Sequence, residues 1–315
     1  MLRLLLTIVL FVHGFIHVIG FAKAFGNADG ILARSISKPL DSRRGCSRLS
    51  PYIAWGCLSI RQVFQAQTIF AGSLRKLKAE LFDAILVLEP DLASPFISLQ
   101  TSPMPINQTL LQQAAEHWQA AHHIPPKPLW TILIGGAGAG AVYQDSDWQT
   151  LAEQLNTLAE KHSIQWLLTT SRRTGSRAEQ ILRQHLKTEV LADAVWWSLQ
   201  QPAVTPTVTH PVTYSVTLAY LALSDMVFCT VDSMSMMMES ISAMRPVISL
   251  IPEQFKPDAN FQAAIDRLQQ QKLVVQIKID GLAQQSEQFM QLQPLSQEPC
   301  LKLADMLQKR LSKTQ

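Results

Sequence analysis

The chain has 315 residues, 47% hydrophobic and 16% charged, long enough for two domains of roughly 150 residues and too apolar for a disordered chain. Thirteen glycines and seventeen prolines exclude collagen-like and low-complexity readings, and a net charge of +3 gives no argument for a nucleic-acid partner. Four cysteines, Cys46, Cys57, Cys229 and Cys300, form no C-x-x-C pair. They argue against a zinc cluster or a disulfide scaffold and for reduced thiols facing the cytosol.

Residues 1–40 form the first piece. From Leu4 to Ala22 run 19 residues without a charge, close to the roughly 20 that cross a bilayer as a helix. Arg3 precedes them; Lys23, Arg34, Lys38, Arg43, Arg44 and Arg48 follow. That asymmetry predicts membrane association with the C-terminal bulk cytoplasmic. A signal peptide cleaved near Ala22-Lys23-Ala24 is the rival reading. His13 and His17 share a helix face, but two imidazoles without a third ligand read as structural. The string HGFIHVIGFAKAFG, continuing to ISKPL, resembles the first helix of small multi-span bacterial membrane proteins.

Residues 41–66 are the second piece. Ser47 or Ser50 can cap a helix starting near Pro51, and a basic residue beside such a start suits a phosphate. The run Cys46-Ser47-Arg48-Leu49-Ser50-Pro51-Tyr52, with Trp55, Gly56, Leu58, Ser59, Arg61 and Gln62, resembles the flavin-diphosphate segment of photolyases and cryptochromes. The resemblance implies FAD, but nothing after Gln65 supplies the large helical domain a flavin needs. The expectation is therefore a fragment without its cofactor.

Residues 67–125 begin with SLRKLKAEL, expected to be an amphipathic helix, followed by the strand AILVLEPD. A second helix, LLQQAAEHWQAAHH, carries His117 with His122 and His123 near its end. No organised carboxylate or thiolate accompanies them, so solvated helix-end residues are expected, not a metal site. One convincing strand, Ala84 to Leu88, makes this piece an incomplete domain.

Residues 126–315 carry the strongest pattern. LWTILIGGAGAG is a buried strand entering a glycine-rich turn, DWQTLAEQLNTLAEKH a helix, and IQWLLTTSRRTG a strand ending in a polar turn. RAEQILRQHL is a helix; AYLALSDMVFCTVDSMSMMMESISAMRPVISLIPE reads as helix, strand, capped helix, strand. Alternating strands and helices predict a parallel sheet, whose ligands bind beyond the carboxyl ends of its strands. Three polar turns fall at that edge. Gly135 and Gly136 would leave room for a ligand; Ser171, Arg172, Arg173 and Thr174 suit a diphosphate. Asp232, Ser233 and Ser235 open a helix whose free N–H groups favour an anion, and Glu239 further along could accept from ribose hydroxyls. Met234, Met236, Met237 and Met238 read as core.

The runs Thr170-Ser171-Arg172-Arg173-Thr174 and Thr230-x-Asp232-Ser233-x-Ser235-Met236, followed by Glu239, resemble the mitochondrial-fission ELM family over about Thr68 to Leu282. The resemblance implies an α/β, GT-B glycosyltransferase-like fold of two Rossmann-like domains, here with a truncated first half behind an apolar N-terminal helix. It further implies a nucleotide-sugar of the UDP or GDP type, with the acidic residue Glu239 on the ribose. Full members carry more strands before AILVLEP, and GT-B enzymes often draw their catalytic base from that half. An inactive binder, or a non-catalytic membrane-associated adaptor, is the alternative.

Overall fold

The computed structural model describes residues 67–312 apart from 72–73, 75–76, 91, 123–125 and 200–215. The expected membrane helix at 1–40 and the photolyase-like segment at 41–66 lie outside the described residues, as does His123. Among the described residues, no helix is long and apolar enough to cross a membrane. The chain divides into two compact units, residues 1–100 with 305–315, and residues 101–304.

In the first unit, β1 (Ile69–Ala71), β2 (Ala84–Val87) and β3 (Phe96–Ser98) form a parallel sheet in that order. Only β2 was legible beforehand, because β1 and β3 are three residues each and too short to show an alternating pattern. The helix expected over SLRKLKAEL is not formed; its described residues contain only the single turn Ala79–Leu81. Leu74, Leu77, Ala79 and Leu81 instead pack on Phe82 and Ile85, and so short a segment has little helical stability of its own. The C-terminal residues of this unit are tied in by Gln67, whose Nε2 donates to the Leu311 carbonyl (3.0 Å), and by Arg310, whose Nε donates to the Asp83 carbonyl (3.2 Å).

The second unit is built on six parallel strands. They are β4 (Leu129–Ile134), β6 (Gln165–Thr170), β7 (Leu191–Val195), β8 (Met226–Thr230), β9 (Val247–Ile251) and β11 (Val274–Lys278). Their spatial order is β11-β9-β8-β4-β6-β7. Numbered along the chain within this sheet, that is 3-2-1-4-5-6 from the β7 edge, the doubly wound order of dinucleotide-binding folds. The crossovers carry α2 (Asp145–His162), α3 (Gly175–His185), α4 (Val216–Leu223), α5 (Met234–Ser242) and α6 (Ala259–Gln270). In chain order α1 (Gln108–Ala121) comes before the first strand of this sheet and α7 (Pro299–Leu311) after the last. Because α1 packs against α4, the unit starts at Thr101, ahead of the break that composition places near 125.

Strand alternation explains why the sheet is covered on both faces. Trp130, Ile132 and Ile134 of β4 join Trp166, Phe228 and the α2 leucines on one face. Leu133, Val227, Cys229 and Val247 meet Met237, Met238 and Ile241 of α5 on the other, so those two methionines are core. Trp118 of α1 meets Tyr220 of α4 edge-on, with ring centroids 5.4 Å apart, and its Nε1 donates to Asp193 on β7 (2.9 Å). His122 stacks on Trp118 at 3.9 Å, so packing accounts for it.

Candidate anion-binding site

In the 3-2-1-4-5-6 order, the winding of successive strands reverses between the parallel strands β4 and β8, and the crevice outside their carboxyl ends is where ligands of such sheets sit. Two loops meet there. The backbone N–H of Gly135, just after β4, donates to the Thr230 hydroxyl at the end of β8 (2.7 Å). The Gly136 N–H donates to Oδ2 of Asp232 (3.1 Å). The loop after β6 completes the cluster, with Nη2 of Arg173 2.7 Å from the same Oδ2.

The glycines are required for this approach, although the room they leave is not vacant. A Cβ on Gly135 would lie 2.2 Å from Asp232 Oδ2, and one on Gly136 would lie 2.1 Å from the Arg173 carbonyl oxygen. The protein's own carboxylate and backbone fill the space expected for a ligand. Thr174 is likewise internal: its buried hydroxyl lies 3.0 Å from the Ile134 carbonyl, close to that of Gly135, and accepts from the Ser171 N–H (3.0 Å). The Ser171 hydroxyl accepts from the Arg173 N–H (3.2 Å) and so shapes the turn that carries the guanidinium.

The charges at this edge are unequal in exposure. The Asp232 side chain is 0% exposed and that of Arg173 is 42% exposed. Among the described residues, Oδ1 of Asp232 is buried without a hydrogen-bond partner. Burial pushes this carboxyl above the ordinary aspartate value, against the opposing pull of Thr230, the Gly136 N–H and the Arg173 guanidinium. Stripping the cation from a fully buried carboxylate costs up to about 3–5 kcal/mol, less here because Arg173 is partly solvated. Burial, then the Asp232 charge, pushes the Tyr143 phenol and the Cys229 thiol far up as well, so both stay neutral.

The glycine-rich loop is braced from the other side. Ala141 and Val142 form β5, paired antiparallel with β10 (Gln254–Phe255). Gly140 has φ +83, and a Cβ there would lie 2.0 Å from the Lys256 carbonyl oxygen. Asp147 on α2 accepts from the Gln144 N–H (2.7 Å) and the Glu253 N–H (3.1 Å), clamping both loops.

The remaining expected residues divide. Ser233 caps α5 by accepting from the Met236 N–H (3.4 Å), and its hydroxyl lies 3.1 Å from that of Ser235. Glu239 is half-buried, and burial alone raises its pKa; among the described residues it has no ion-pair partner. Arg172 is exposed and joins none of these contacts. Glu179, the nearby carboxylate on α3, is buried at 2% exposure and bonded to Thr170 and Ser198. Sequence reasoning missed Gly138, Tyr143 and Glu179. The first stood in the GGAGAG string, but its neighbour Arg173 is 35 residues on and only the fold joins them.

Among solved structures, the chain is similar to the E. coli ADP-heptose LPS heptosyltransferase II, at 12% identity and a TM-score of 0.37, over 78% of this chain and 70% of that one. It is also similar to the molybdenum cofactor carrier protein of Chlamydomonas reinhardtii, at 14% identity and a TM-score of 0.29, over 52% of this chain and 98% of that one. No curated protein matches. Residues 61–310 match the mitochondrial fission ELM1 family, beyond both ends of the stretch recognised from its motifs. The chain belongs to the mitochondrial fission ELM1 family.

Proposed function

We propose that the second unit binds a nucleoside diphosphate or its sugar ester at the β4–β8 crevice. One observation carries this reading: the half-exposed Arg173 guanidinium, held by Asp232, and the start of α5 lie at the edge where doubly wound sheets bind nucleotides, with Glu239 further along that helix. The α5 start and Arg173 suit the diphosphate. Glu239, desolvated and without a counter-charge among the described residues, suits ribose hydroxyls, which donate to a carboxylate without bringing a second charge. Glycosyl transfer from a UDP- or GDP-sugar is the activity in keeping with this reading. Residues 4–22 remain the proposed membrane contact, tested by whether the full chain sediments with membranes after mild lysis.

Calorimetry of the full chain with UDP and GDP tests the reading. Binding should appear below millimolar concentration, and Glu239→Gln should weaken it while leaving inorganic pyrophosphate unaffected. If neither nucleotide binds at millimolar concentration, the nucleotide reading fails.

A further inference from the structure

We propose that Asp232 acts as a positioning residue: it holds Arg173 over the glycine-rich loop so that the outer face of the guanidinium, and not Arg172, receives the phosphate groups. The inference rests on the nucleotide reading for its natural ligand, but its geometry stands alone.

Nη2 of Arg173 is committed to Asp232 at 2.7 Å. Nη1 lies over Gly138, where an added Cβ would come within 2.7 Å of it. Asp232 cannot follow a moving arginine. Its carboxylate is fully buried, takes the Gly136 N–H at 3.1 Å, and rests on Gly135, where no side chain fits beneath it. Among the described residues its Oδ1 has no hydrogen-bond partner, and Arg173, on Oδ2, is the cation paired with this carboxylate. The platform below is fixed too: Gly138 and Ala141 exchange backbone hydrogen bonds at 3.2 and 2.8 Å, and the Lys256 N–H donates to the Gly140 carbonyl at 2.9 Å. A guanidinium held on one side by a carboxylate presents its remaining N–H groups at a set position, which suits the tetrahedral oxygens of a phosphate. Two amides of the loop, Gly135 and Gly136, are already used by Thr230 and Asp232 and are not free for an anion.

Among the described residues, the titratable and charged groups facing Asp232 are Arg173 from the β6–α3 turn, Tyr143 after β5 and Cys229 on β8. The latter two are neutral across the accessible pH range, so the cation alone sets the balance.

Calorimetry of the full chain with inorganic pyrophosphate, UDP and GDP tests the proposal. Arg173→Ala should weaken pyrophosphate and both nucleotides by roughly 10- to 150-fold, as expected for a lost charge-assisted bond. Gly138→Ala keeps every charge and a permitted backbone, and displaces only the guanidinium; it should weaken pyrophosphate roughly tenfold. Asp232→Asn should weaken binding in the native background but not in Arg173→Ala, because positioning acts through the arginine. Tightening by Asp232→Asn in both backgrounds would show plain repulsion and overturn the proposal, as would unchanged binding in Arg173→Ala and Gly138→Ala. Pyrophosphate bound through Arg173 with no binding of UDP or GDP leaves the proposal standing and removes the nucleotide reading. UDP bound equally with and without Arg173 does the reverse, and no binding of any of the three removes both.

Discussion

Two buried carboxylates lie near neighbouring strand ends of one sheet, and they are satisfied in opposite ways. Glu179 on α3, at 2% exposure, is met by neutral donors: the Thr170 hydroxyl (2.5 Å), the Ser198 N–H (3.2 Å to Oε2) and the Ser198 hydroxyl. Thr170 in turn accepts from the Trp197 N–H (2.8 Å), so the chain after β7 is stitched to the end of β6. Asp232, equally enclosed, has the Gly136 N–H, the nearby Thr230 hydroxyl and, unlike Glu179, a cation that stands partly in solvent. A carboxylate closed by neutral hydrogen bonds has no opening for a ligand. One closed by a half-exposed cation shares that cation with whatever arrives. The first arrangement fastens the fold and the second prepares a site.

The largest expected effect breaks the fastening. Glu179→Ala leaves the Thr170 and Ser198 donors without their acceptor, and unpaired buried polar groups of this kind cost about 1–3 kcal/mol each. Urea unfolding should show a loss of about 2–5 kcal/mol, while the folded protein binds pyrophosphate with unchanged affinity. A large loss of pyrophosphate affinity with little loss of stability would reverse the roles assigned to the two carboxylates.

The next effect is one of sign. Burial holds the Asp232 pKa above its value in the unfolded chain, so between the two values the folded state keeps a proton that the unfolded chain has released. The contribution is most favourable below about pH 3.9 and is lost as pH rises through the folded value. Asp232→Asn should therefore flatten the fall in stability across that window, and Arg173→Ala, by removing the group that opposes the shift, should extend it to higher pH. Chemical unfolding at a series of pH values reads both. Equal slopes in all three proteins would mean that the pair carries no linkage.

How much of this was legible beforehand follows from the range of the interactions. The parallel sheet of the second unit was readable through β4, β6, β8 and β9, because long apolar runs such as LWTILI alternate with helices of matching length, whereas the edge strands β7 and β11 were not anticipated. The meeting of Gly135, Gly136, Arg173, Thr174 and Asp232 was half readable: a parallel sheet brings strand ends to one edge, and all five lie there. Their division of labour was not. That Gly135 makes room for Asp232, and Gly136 for the Arg173 backbone, depends on distances of a few ångströms set by strand order. Glu179 was hidden for the same reason, since helical spacing shows a polar residue on α3 but not that Thr170 and Ser198 enclose it. In the first unit, β1 and β3 draw their stability from pairing with β2 and carry almost no local signal.

The smallest expected effect separates two adjacent arginines that sequence cannot tell apart. Arg172 and Arg173 share a turn and a charge, yet Arg172 is solvated while Arg173 has its Nη2 on a buried carboxylate. An exposed side chain outside the buried contacts of the site contributes little, so Arg172→Ala should change stability by no more than about 0.5 kcal/mol. Its charge still adds to the local potential, which predicts a weakening of pyrophosphate binding of only a few-fold that fades as ionic strength rises. Arg173→Ala should keep most of its effect in salt, because its guanidinium is held against Asp232 and screened less. Titrations of both variants at low and high salt separate a diffuse charge from an aimed one. If both lose binding equally and both recover in salt, the Asp232–Arg173 pair has no special place in the site.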